Sequence, residues 1–105
     1  MAAAKNPDKT VNTIEEKLRA EYCGQHPQAR VDVKRYNSVS VRIRVIDPDF
    51  ATVSRTERDN VVWAILDSLP DKVRADITLL VLLTPSEAKT SIMNLEFEDP
   101  LPSRL

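Results

Sequence analysis

The stretch SVSVRIRVIDPDFATVSRTERDNVVWAIL, Ser38–Leu66, carries two periodicities joined by a proline-containing connector. Val39, Val41, Ile43 and Val45 alternate with polar residues, the period of a half-buried strand. Beyond Asp47-Pro48-Asp49-Phe50 the period changes. Arg58, Val61, Val62, Ile65, Leu66 and Leu69 recur at the spacing of one inward helix face. Ser54 and Glu57 have the spacing of a capping box at its start, and Pro70 stops it. A strand running into a long helix sets up a crossover to a parallel strand.

That strand follows downstream. In ADITLLVLLTPSEAK, Ala75–Lys89, the residues Ile77, Leu79, Val81 and Leu83 make one face of it. Leu80 and Leu82 make its second face apolar too, and a strand apolar on both sides is covered on both sides. The segment around Met93, Leu95 and Phe97 folding over Leu80 and Leu82 is one cover; a homodimer through the two leucines is the other. Thr84-Pro85-Ser86-Glu87 starts a last helix, with Ala88, Ile92 and Leu95 expected to point inward.

Upstream, Val31 and Val33 share a parity, so Ala29–Ile46 reads as a β-hairpin. An odd loop, Tyr36-Asn37-Ser38, keeps the valines on one side, placing Val33 opposite Val41 and Asp32 opposite Arg42. Before it, Ile14, Leu18 and Tyr22 form a stripe of a helix expected from about Thr13 to Tyr22, capped by Asn12 or Thr13. Gly24 stands where a left-handed cap belongs. The expected order is αββαβα: an α+β fold with a three-stranded mixed sheet and helices packed on one face. Residues 1–10 read as a disordered leader, 11–97 as a single domain and 98–105 as an acidic, proline-containing tail.

The chain has 105 residues, 42% hydrophobic and 30% charged, with a formal net charge of −1, ordinary for one globular domain. Its charge is unevenly placed. Between Arg30 and Val45 stand five basic residues and one acidic, whereas the last 21 residues hold two basic and four acidic. A single cysteine, Cys23, permits no internal disulfide, so the cytoplasm is the expected location. No apolar run is long enough for a membrane span.

Together with that order, the run from Phe50 through Ser54, Arg58, Val62 and Leu66 to the Thr84-Pro85 start of the last helix resembles the BolA family. The resemblance, which runs from the first helix to Glu87, implies a type II KH-like topology and a small adaptor or regulatory role. The chain departs from the family where its histidines stand: Asp59 follows the helix arginine, and Asp76 heads the third strand. The loop Tyr36-Asn37-Ser38 offers no soft ligand, and Thr52 replaces an expected glycine. The iron–sulfur chemistry that some members share with a monothiol glutaredoxin is therefore not expected here, and neither is a cofactor.

Other constellations are weak. Cys23 and His26, in Cys-Gly-Gln-His, lack the further ligands zinc needs. Asp47 and Asp49 read as turn and cap residues rather than a catalytic pair. One glycine makes no phosphate loop, and no nucleophile–base setting exists, so no enzyme is expected. The candidate site is a basic hairpin face, Arg30, Lys34, Arg42 and Arg44; Trp63, at the edge of the helix stripe, either seals the core or anchors a partner. A protein partner is expected there; the alternative is a KH-like nucleic-acid module using the same arginines.

Overall fold

The computed structural model describes residues 8–102. Helix α1, Lys9–Glu21, leads through a loop to the antiparallel strands β1, Arg30–Asn37, and β2, Ser40–Ile46. A 3-10 turn at Pro48–Thr52 feeds α2, Arg55–Leu66, and the short α3, Asp71–Ala75. Strand β3, Ile77–Leu83, then pairs parallel to β2, so β2 is central in a sheet of order β1-β2-β3. Helices α4, Pro85–Ala88, and α5, Ile92–Glu98, complete the chain. This is the expected α+β architecture with a mixed sheet.

The main core lies between the sheet and the two long helices. Val11, Ile14, Leu18 and Tyr22 of the first helical segment and Val62 and Leu66 of α2 meet Val31, Val33, Val41, Ile43 and Val45. Arg58 locks its edge. This buried guanidinium donates to the carbonyls of Phe50, Val53 and Leu82 and grips both Glu87 carboxylate oxygens, at 2.6 and 3.2 Å. Glu87 also closes a reciprocal capping box with Thr84. The residues that carry the family likeness, Phe50, Arg58 and Thr84–Glu87, are thus one physical clasp joining turn, helix and strand.

Several expectations need correction. The first helix starts at Lys9, not near Thr13, because Asp8 accepts from the Val11 N–H and is fixed by Arg35 at 2.6 Å. Residues 1–7 of the expected leader lie outside the described residues. Gly24 is not left-handed; it is small because a Cβ there would meet the Ala20 carbonyl oxygen at 2.8 Å. The hairpin keeps the expected parity, but Val33 faces Ile43 and Asp32 faces Arg44. A two-residue turn, Ser38-Val39, is combined with an irregularity between Arg35 and Asn37, which together do the work of the odd loop. Val39 therefore sits at the turn, 52% exposed, and Val61 of α2 is also exposed.

The third strand has its faces reversed from expectation. Leu80 and Leu82 stand beside Ile43 and Val45 on the helix side of the sheet, Leu82 buried and Leu80 half-buried. Leu79, Val81 and Leu83 point to the other face, in line with Arg42, Arg44 and Ile46. While α1 and α2 share one face as expected, α5 crosses the other. Its inward residue is Phe97, 1% exposed, whereas Ile92 and Leu95, expected inward, are 84% and 66% exposed. A break between α4 and α5 rotates the helix and changes which side chains face the sheet.

Candidate protein-contact face

The alternation of β1 and β2 sends Arg30, Asp32, Lys34, Arg42 and Arg44 to the face away from the long helices. The structure brings three of the four chosen basic residues together there, under α5. Arg44 is 3% exposed, an unusual depth for a cation, and is fully engaged. It donates to Asp32 at 2.8 Å, to the Asn94 amide oxygen at 2.8 Å and to Glu98 at 2.6 Å. Arg42 reaches the Glu96 carboxylate at 3.1 Å while its guanidinium lies 3.6 Å from the Tyr36 ring centroid. Lys34 donates to the Phe97 carbonyl at 3.2 Å. The Phe97 ring itself sits between two cations, 4.6 Å from the Lys34 ammonium and 4.7 Å from the Arg44 guanidinium carbon.

Arg30 stands at the margin, 66% exposed, paired loosely with Asp32 at 3.3 Å. Trp63 is half-buried and packs against the helix-side core, apart from this face. The chain beyond α5 continues the cover: Tyr36 donates its hydroxyl to the Leu101 carbonyl, and Pro100, Leu101 and Pro102 border a cavity of about 250 Å³ with Lys34, Tyr36 and Arg42. Helix α5 is the lid of the basic face, and residues 98–102 of the segment expected to be an acidic tail continue it, Glu98 through Arg44 and Leu101 through Tyr36. Its carboxylates were legible in the sequence, but nothing local ties residues 94–98 to strands some 50 positions earlier.

At the opposite end of the sheet the structure joins two motifs that look unrelated in sequence. His26 Nδ1 lies 2.8 Å from Asp49 and 3.5 Å from Asp47, and its ring stacks on Tyr22 at 4.3 Å. Asp47, 0% exposed, accepts from the Tyr22 hydroxyl at 2.6 Å and from the Asp49 N–H. Among the described residues these three are the one group of potential metal ligands, spanning up to 4.8 Å. Their hydrogen bonds cap the 3-10 turn and tie it to the loop after α1. Burial and then the Asp47 carboxylate push the Tyr22 phenol far up, so it stays a donor. Burial also pushes the Cys23 thiol up, away from the reactive thiolate.

The positions at which the BolA resemblance would place iron–sulfur ligands do not suit a cluster. Asp76 offers a hard carboxylate and is held by Arg35 at 3.3 Å, an arginine expected to reach water but bound between Asp76 and Asp8. The hairpin turn supplies neither thiol nor imidazole.

A mixed sheet with β3 parallel to the central strand, two long helices on one face and an arginine clasp at the crossover define an α+β domain with the BolA-like fold. The chain is similar to BolA1 from Arabidopsis thaliana, with a TM-score of 0.53 and 16% identity over 76% of this chain and 96% of that one. It is likewise similar to the BolA domain of SufE1 from Arabidopsis thaliana, with a TM-score of 0.50 and 19% identity over 78% of this chain and 99% of the other. The XC975 protein, known from its solution structure, aligns with a TM-score of 0.50 and 26% identity over 81% of this chain and 100% of its own. No family model matches the sequence, and no curated protein does. No helix among the described residues is long and apolar enough to cross a membrane.

Proposed function

We propose that the chain is a non-enzymatic, BolA-like adaptor that works through protein contacts made by the sheet face opposite its long helices. One observation carries the reading: Lys34, Arg42 and Arg44 converge on that face and are met there by the carboxylates, carbonyl and ring of a polypeptide segment. A surface that satisfies an acidic peptide in this way has the chemistry of a protein-binding site. The inert Cys23 thiol and the structural use of Asp47 and Tyr22 agree with an adaptor rather than an enzyme. The cytoplasm suits this role, since a lone cysteine stays a thiol there.

The nucleic-acid alternative uses the same cations as phosphate contacts, but Lys34, Arg42 and Arg44 are engaged by acidic or carbonyl groups of α5, and Arg30, the exposed one, pairs with Asp32. A photo-crosslinking residue placed at Tyr36 separates the two readings in the source cell. A discrete protein adduct that survives nuclease and is lost on Arg42→Glu is expected. An adduct that nuclease returns to the mass of the free chain would establish the KH-like reading instead.

A further inference from the structure

Resting on the adaptor reading, we infer that the Lys34–Arg42–Arg44 face is a receptor for an acidic helical segment of a partner protein bearing an aromatic side chain, and that residues 91–102 occupy it in cis as a competitor.

The cis occupant defines the ligand class. Everything it offers the face is an acceptor or a π surface: the Glu96 and Glu98 carboxylates, the Asn94 amide oxygen, the Phe97 carbonyl and the Phe97 ring. A basic ligand would meet three cations with no compensating acid except Asp32.

The occupant is also a separable unit. Ser91 accepts from the Asn94 N–H, so α5 carries its own cap rather than continuing α4. Lys89 and Thr90, between the two helices, are exposed, as are Ile92 and Leu95 on the outward side of α5. The segment is held from below, by the sheet, and by one tie to α4, the Asn94 side-chain N–H donating to the Ala88 carbonyl at 3.0 Å.

Its fit is incomplete. Arg42 Nε is buried without a hydrogen-bond partner among the described residues. The cavity of about 250 Å³ beside it is bordered by Lys34, Arg35, Tyr36, Arg42 and the Phe97–Pro102 side of the lid. A ligand with one further acceptor at that point would satisfy a donor that α5 leaves unsatisfied. Tethering compensates for the imperfect fit, because a short linker gives the cis segment an effective concentration on the order of millimolar. A partner helix thus competes against a tethered ligand that leaves one donor of the face unmet.

The test uses the full chain and a synthetic peptide of residues 91–102. Glu96→Lys/Glu98→Lys, which sets cations against Arg42 and Arg44, and Phe97→Ala, which removes the anchor, each loosen the lid by a different route. Calorimetric titration is expected to show both variants binding the peptide at least tenfold tighter than the parent chain does. Added salt should weaken the binding, Lys34→Ala/Arg42→Ala should remove it, and amide shifts should fall on Lys34, Tyr36, Arg42 and Arg44. Folded variants with no gain over the parent, or a gain that ignores Lys34 and Arg42, would overturn the inference. So would loss of folding in both variants, which would make α5 part of the core, or a doubled mass in light scattering, which would give the face to a second copy. Failure of the peptide with Tyr36 protein adducts intact would remove the competitor alone; loss of both would remove the adaptor reading as well.

Discussion

At the residue scale, two side chains make the strongest demands on the fold. Arg58 is a buried cation with five hydrogen bonds, three of them to carbonyls, of which those of Phe50 and Leu82 have been taken out of water. Replacing it with Ala strands those carbonyls and leaves Glu87 without its counter-ion, an expected loss of about 3–5 kcal/mol in urea unfolding. The Arg58 hydrogen bonds, then the Thr84 N–H, hold Glu87 down to about 2 from its usual 4.5. Because the folded value is the lower one, this pair stabilises the chain fully above pH 4.5 and loses that contribution as pH falls toward 2. Glu87→Gln should therefore be less stable at neutral pH by about 2 kcal/mol and show a flatter decline in stability across that window in acid titrations. Phe97 is the second such residue. Its truncation to Ala should cost about 3 kcal/mol while leaving the helix-side core unchanged, which methyl chemical shifts of Val41, Ile43 and Val45 can check. The arginine and the Thr-Pro start were visible in the sequence; that they form one clasp was not, since Arg58 and Glu87 meet only after the crossover closes.

At the scale of elements, parity was legible and register was not. Val31, Val33, Val41, Ile43 and Val45 all face the long helices as their alternation predicts. The pairing is nonetheless two positions from the one parity suggests, since a tight turn with a bulge and an odd loop preserve the same sides. In β3 the unbroken run of apolar residues left no period, so the two faces could be exchanged without any local signal. Helix α1 begins earlier than its apolar stripe implies because Asp8 supplies the cap, and Arg35 lowers the Asp8 carboxyl through a hydrogen bond that no local pattern announces. At the far end of α1, Gly24→Ala would force a Cβ against the Ala20 carbonyl oxygen at 2.8 Å. That substitution should destabilise the helix end by about 1 kcal/mol or more, seen as faster hydrogen exchange at Tyr22 and Cys23 relative to the strands.

At the scale of the whole molecule, the chain places basic charge on one face of its sheet and acidic charge on its C-terminal helix, and then folds the helix onto that face. The basic hairpin was readable as a candidate contact face, and the acidic C-terminal segment as a charged tail; their union depends on contacts that span half the chain. The sheet is thereby covered on both sides, by a deep apolar core on one and by a largely ionic lid on the other. Charge screening weakens partly exposed ion pairs and does not weaken apolar burial, so the two sides should respond differently to ionic strength. Native-state hydrogen exchange at low and high salt tests that division most directly. Amides of α5 are predicted to exchange through a local opening that salt accelerates, while those of α1, α2 and β2 exchange only by global unfolding at an unchanged rate. Exchange of α5 locked to the global rate at every salt concentration, or no protection of α5 under any condition, would contradict the account.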